Sequence, residues 1–222
     1  MNKEIIDLSH TISHGVITYK GMPGPIISDF WSRESSARNY DENTSFHIAK
    51  IDMVANTGTY IDTPFHRYSD GKDLSEVSLD RFCDLAGICF SSPYERNLES
   101  SYDLFNNTDL ENKAVLIHTG WSEKWGKEEY QWNHPFLNRE AAEYLVSRRP
   151  KLVGIDSCNI DDTAGRIRPV HSLLLKEGIL IIEHLCNLRI LEGQNFRFFA
   201  IPPKIRGVGS FPVRAFAIID NK

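Results

Sequence analysis

Apolar positions along the chain fall into short runs and alternations separated by turn-forming residues. Residues 5–8 read as a short strand, and across residues 46–55 the side chains of His47, Ala49, Ile51, Met53 and Ala55 alternate with more polar neighbours, the period of a strand. Asp73 and Glu76 have the spacing of a helix start with its capping-box carboxylate, ahead of Leu79, Phe82 and Cys83. The apolar run Ala114–His118, ending at Thr119-Gly120, predicts a buried strand.

Farther along, Asn138 predicts the cap of a helix in which Ala141, Ala142, Leu145 and Val146 keep helical spacing, and Pro150 stops it. Leu152–Ile155, residues 179–182 and residues 213–219 predict further core strands. Between the first two of these, Pro169 fits the first position of a short helix and Gly178 its C-terminal end. The expectation is a mixed α/β fold with more strand than helix. No repeat, low-complexity tract or linker divides the sequence, so residues 1–222 are expected to form a single compact domain.

Charge then narrows the function. The 25 basic and 30 acidic residues give a formal net charge of -5 with no long block of either sign, so the basic footprint of a nucleic-acid binder is missing. No apolar run approaches the roughly 20 residues of a membrane span, and no signal-peptide core follows Met1. The expectation is a cytoplasmic protein with a small-molecule substrate and no membrane or nucleic-acid partner. Cys83, Cys89, Cys158 and Cys186 lack the short spacing of a zinc knuckle or redox dithiol, and are expected to be buried reduced thiols. Eight histidines are more suggestive, provided that some of them meet in space.

The most unusual stretch is Asn56-Thr57-Gly58-Thr59-Tyr60-Ile61-Asp62-Thr63-Pro64-Phe65-His66. Gly58 allows a turn or a close backbone approach, and Pro64 forces Thr63 into an extended conformation. Asp62 and His66 therefore lie at a strand-to-loop transition, where binding groups are often presented. A surface aspartate and a packed histidine fit these residues equally well.

The segment resembles the cyclase family, which includes bacterial kynurenine formamidases and isatin hydrolases and whose signature is His-x-Gly-Thr-His-x-Asp-x-Pro-x-His. Gly58, Thr59, Asp62, Pro64 and His66 are in register with it. The resemblance covers nearly the whole chain: Ile6-Asp7-Leu8-Ser9 is similar to the family's opening, and Leu116-Ile117-His118-Thr119-Gly120-Trp121 to its central strand and turn. Gly154-Ile155-Asp156-Ser157 resembles its Gly-x-Asp-x-x-Ser region, and Pro212-Val213-Arg214-Ala215 its last strand, with His171 as the later histidine and Glu183 as the strand glutamate.

The resemblance implies a swivelling β/β/α domain, a homodimer or homotetramer, and metal-dependent hydrolysis of a small amide, cyclic amide or lactone by a metal-bound water. In the family, two motif histidines and two carboxylates hold one ion, while the same carboxylates and the later histidine hold another. Here Asn56 and Tyr60 occupy the positions of those two histidines. One divalent ion, Zn²⁺ or Mn²⁺, is therefore expected, held by Asp62, His171 and Glu183, with His66 as the proton shuttle. Asn56 and Tyr60 are left as substrate or weak metal contacts, and Tyr19 and Trp31 lie where the family places pocket-lining aromatics. A non-hydrolytic acid–base enzyme at a degenerate metal site and an inactive small-molecule binder are the alternatives.

Physical reading of the residues adds to these expectations. His171 falls in the first turn of a predicted helix, whose dipole is expected to keep the imidazole neutral. Glu183 closes an apolar strand, where a carboxylate is costly without a partner. His184 is expected to point to the opposite face. His10, His14 and His134 sit in loop-like sequence and are expected to be exposed, and His47 and His118 to be satisfied strand residues. Trp121, Trp125, Tyr130 and Trp132 form an aromatic stretch that could cover a pocket.

Overall fold

The computed structural model describes residues 3–92, 105 and 108–220. In chain order these form β1 (Lys3–Asp7), β2 (Ile26–Trp31), α1 (Arg33–Ala37), β3 (Ile48–Asp52), β4 (Tyr60–Asp62), β5 (Leu85–Ser91) and β6 (Ala114–His118). They continue with α2 (Arg139–Arg148), β7 (Leu152–Ile155), α3 (Pro169–Lys176), β8 (Leu180–Glu183), β9 (Phe196–Phe199), β10 (Ser210–Pro212) and β11 (Phe216–Asp220). One nine-stranded mixed sheet runs β1-β11-β9-β5-β6-β7-β8-β4-β10, and β2 and β3 form a separate hairpin. The fold is therefore of the expected α/β class.

Strands β5 to β8 are parallel. Parallel strands covered on both faces read as unbroken apolar runs, because alternate side chains serve two cores. Leu116, Leu152, Leu180 and Ile182 join one core with Ile61, Phe196 and Phe198. Val115, Ile117, Val153, Ile155 and Ile181 join the other, against Ala141, Ala142 and Leu145 of α2 and Val170, Leu174 and Leu175 of α3. The Asn138 side chain accepts from the Ala141 N–H at 2.9 Å, and Pro169 sits in the first turn of α3. Both helices thus begin where their capping residues place them.

Other expectations are corrected. Of residues 46–55 only β3 is strand, and all five of its residues are exposed on the hairpin, so the alternation there does not mark a half-buried strand. Asp73 and Glu76 do exchange the capping-box hydrogen bonds, at 3.2 Å each, yet only a turn and the 3-10 segment Leu79–Arg81 follow. A second Asp73 oxygen accepts from the Gly207 N–H at 2.6 Å, so tertiary contact holds the turn in place of a helix. Of the run 213–219 only residues 216–219 are strand, in β11, because residues 213–215 connect it to β10. His134 is buried and bonds to Thr163 at 2.9 Å, whereas His47 is exposed and pairs with Asp29 at 2.8 Å. All four cysteines are free, but only Cys158 is buried. No helix among the described residues is long and apolar enough to cross a membrane.

Candidate metal centre

Strand β4 lies antiparallel between β8 and β10, with Tyr60 opposite Glu183 and Asp62 opposite Ser210. Residues two apart on a strand share a face, so Tyr60 and Asp62 project together toward the side that α3 covers. His171 comes from the first turn of α3, and His66 from the 3-10 turn Pro64–His66 that follows β4. Asn159, Ile160 and Asp161 come from the loop after β7.

The sequence candidates Asp62, His66, His171 and Glu183 meet here. His171 Nε2 lies 3.6 Å from Asp62 Oδ2 and 3.6 Å from Glu183 Oε1. That is too long for hydrogen bonds, and it is the separation expected of atoms sharing one ion at bond lengths of about 2.0–2.2 Å. Asp62 Oδ2 is buried without a hydrogen-bond partner, which is costly for a carboxylate oxygen unless a cation faces it. Asp62, His66 and His171 each offer a ligand atom within 4.8 Å of the others. One carboxylate oxygen and two imidazole nitrogens, with the Glu183 carboxylate beside His171, suit Zn²⁺ or Mn²⁺, so the residues present fit a divalent ion.

Around this set, buried groups hold the ligands in place. Asp161 accepts from His171 Nδ1 at 2.6 Å and from the N–H groups of Val170 and His171 at 2.8 and 3.0 Å. The imidazole is thereby oriented with Nε2 toward the carboxylates. Burial disfavours charge on His171, but the bond to Asp161 and the nearby Asp62 and Glu183 carboxylates outweigh it and push the pKa up to about 10. The helix dipole expected to keep this residue neutral is overridden by three nearby carboxylates. Burial, against the pull of His171, pushes Glu183 up to about 7.

Glu183 Oε1 accepts from the Ile160 N–H at 2.7 Å, while Oε2 accepts from the hydroxyl of Tyr60 and from Tyr19 at 3.0 Å, with Asn159 Nδ2 at 3.4 Å. Burial, and then the charge of Glu183, raise the Tyr60 phenol well above its ordinary pKa, so Tyr60 stays protonated and donates. The Tyr19 hydroxyl also reaches the Cys158 carbonyl at 2.6 Å, so this residue joins the cluster at its hydroxyl end while its ring stays half-buried. Asn56 is half-buried and takes no part in these bonds. Trp31 lies on the hairpin against Phe30 and Phe46, away from the cluster.

His184 departs from strand alternation because β8 ends at Glu183 and the next residue is left-handed, with φ 57°. Its ring sits among Tyr19, Tyr60, Trp125 and Tyr130, and Nδ1 meets the Tyr130 hydroxyl at 2.8 Å. Trp125 and Tyr130 thus pack against His184, and Trp125 also stacks on a half-buried His10. His118 is buried and bonded to Glu192 at 2.5 Å, apart from the centre. The sequence candidates omitted Asn159, Asp161 and Ser210. Each is a buried polar residue in an irregular or very short segment, where no periodicity marks it.

Comparison with known proteins finds relatives that span nearly the whole chain. The family model Cyclase, described as "Putative cyclase", matches residues 6–162, more than half of the chain. Kynurenine formamidase of Bacillus cereus is 27% identical over 212 residues, covering 96% of each chain, and that of Bacillus mycoides is 27% identical over 216 residues, covering 95% of each. A solved structure described as a potential metal-dependent hydrolase with cyclase activity superposes with a TM-score of 0.77 at 25% identity, over 100% of both chains. Isatin hydrolase A of Ralstonia solanacearum shares the fold, with a TM-score of 0.76 at 18% identity over 98% of this chain and 92% of its own. The chain belongs to the cyclase family.

Proposed function

We propose that this chain is a cytoplasmic metal-dependent hydrolase of a small amide, cyclic amide or lactone, with aryl formamides the first class to test. The observation that carries the reading is the convergence of Asp62 Oδ2, Glu183 Oε1 and His171 Nε2, with the aspartate oxygen otherwise unpartnered. The formamidase relatives support the choice of substrate class. The four free thiols suit a reducing compartment. A cavity of about 560 Å³ beside the Tyr19 loop, lined by Val16, Ile17, Lys20, Met22 and Gln131, is of small-molecule size.

A divalent cation, Zn²⁺ or Mn²⁺, bound by Asp62, His171 and Glu183 would polarise the carbonyl and acidify a water. His66, whose side chain is 35% exposed, stands at the open edge of the cluster. It takes the proton from the attacking water and returns it to the leaving group. Asp161 keeps His171 aimed, while Tyr60, Tyr19 and Asn159 satisfy the Glu183 oxygen turned away from His171. The half-buried Tyr19 ring offers a substrate contact.

The neutral phenol of Tyr60 also supports a second reading, a non-hydrolytic acid–base enzyme. Turnover that survived complete chelation would favour it.

The hairpin supports homo-oligomer formation. Ile26, Phe30, Ile48 and Ile51 are 56, 64, 42 and 56% exposed, and an isolated two-stranded hairpin is marginal in water. A second copy covering it would remove both problems.

These readings predict three outcomes. His66→Ala should lower kcat on an aryl formamide on the order of a hundredfold or more while zinc binding by calorimetry persists. Wild-type turnover in that variant would remove His66 from the mechanism. The second outcome concerns pH. Because the folded-state pKa of His171 is raised from 6.5 to about 10, its imidazolium contributes stability to the metal-free protein fully below 6.5, and loses it as pH rises through about 10. Zinc must displace that proton, so binding at pH 8 should release protons and tighten with rising pH. Affinity independent of pH across the neutral-to-alkaline range would contradict the ligand role of His171. Thirdly, sedimentation should show an oligomer that Phe30→Glu converts to monomer; a monomeric wild type would rule out the hairpin contact.

A further inference from the structure

Strand β10 brings Ser210 level with Asp62, and its approach to the turn after β4 is unusually close. A Cβ added at Gly209 would lie 2.3 Å from the backbone nitrogen of His66 and 2.6 Å from its Cα. Only glycine lets the two segments press together in this way. Thr63 fastens them, its N–H and hydroxyl both donating to the Gly209 carbonyl, at 2.8 and 3.0 Å. Ser210 is therefore placed by register, by a close backbone approach and by two hydrogen bonds that do not involve its own side chain.

The buried Ser210 hydroxyl touches two groups. It donates to Asp62 Oδ1, and its oxygen lies 2.8 Å from His66 Nδ1. A hydroxyl has one hydrogen, and an ionised carboxylate only accepts. With that hydrogen given to Asp62, the serine oxygen can only accept from His66. Nδ1 must then carry the proton, and in the neutral imidazole the free lone pair is on Nε2. Asp62 Oδ1 is itself 3.6 Å from His66 Nδ1, too far to replace the serine.

We propose that Ser210 is a positioning residue for His66, fixing its Nδ1–H tautomer through an Asp62–Ser210–His66 relay so that Nε2 is the basic atom. The inference rests on the reading of His66 as the base of an amide hydrolase and deepens it. One aspartate then serves both halves of the site. Its Oδ2 faces the cation position and its Oδ1, through Ser210, sets which nitrogen of the base is free. When Nε2 takes a proton, the Nδ1–H bond to Ser210 is unchanged, so the base needs no rearrangement during the transfer.

Nitrogen-15 NMR of the full chain, with the His66 signals assigned through His66→Gln, reads the tautomer without substrate. Wild type should show the Nδ1–H form when the imidazole is neutral. Ser210→Ala should shift it toward Nε2–H and lower kcat on formanilide roughly 10–100-fold, with zinc stoichiometry unchanged as evidence of a folded site. Ser210→Thr, which keeps the hydroxyl, should restore most of the rate and the wild-type tautomer. A wild-type Nε2–H signature would overturn the proposal, as would a Ser210→Ala variant with unchanged tautomer and kcat. If wild type failed to hydrolyse formanilide or related aryl amides, the hydrolase reading would fall, and the tautomer signature would still decide the placement of Ser210.

Discussion

Asp62 and Glu183 are both completely buried, and no lysine or arginine accompanies them among the described residues. Burying two carboxylates side by side is among the costliest arrangements a domain can contain unless cationic groups and hydrogen bonds compensate it. The neighbouring elements supply that compensation. Strand β8 ends at Glu183, opposite Tyr60, whose hydroxyl donates to it across the strands. The loop after β7 delivers an N–H and an amide, and α3 delivers an imidazole whose second nitrogen is held by Asp161. The one oxygen left over, Asp62 Oδ2, is where the proposed cation would complete the balance.

This compensation accounts for the tyrosine at position 60. A second ion would have to approach the Glu183 oxygen that now accepts from Tyr60 and Tyr19. Hydrogen bonds to charged groups contribute about 1.5–3 kcal/mol each, enough to hold that oxygen in a neutral, metal-free setting. Tyrosine in place of histidine therefore exchanges a ligand for a hydrogen-bond donor. On the proposed reading the centre takes one ion, and the other half of the carboxylate belongs to the protein.

Much of this was legible in the sequence. The apolar runs at Ala114–His118 and Leu152–Ile155 announced strands buried on both faces, and Asn138 and Pro169 announced helix starts, because local geometry and burial agree at these positions. Asp62 and His66 stood out at a strand-to-loop transition, but their meeting with His171 and Glu183 could be anticipated only through a family resemblance, since no spacing relates residues brought together by crossover connections. Ser210 and Asp161 carried no signal of their own. The first acts through a strand of three residues, and the second through a loop. The raised pKa of His171 in the metal-free chain is not legible in the sequence for a related reason. Its helix is visible in sequence, but the carboxylates around it arrive from elsewhere in the chain.

The central claim, a one-ion centre in which Tyr60 and its neighbours occupy the remaining carboxylate oxygen, is tested most directly by elemental analysis of chain loaded with excess Zn²⁺ or Mn²⁺ and then desalted. The account predicts one ion per chain for wild type and a second ion when Asn56→His and Tyr60→His are combined. Two ions in the wild-type chain, or no ion at any loading, would contradict it.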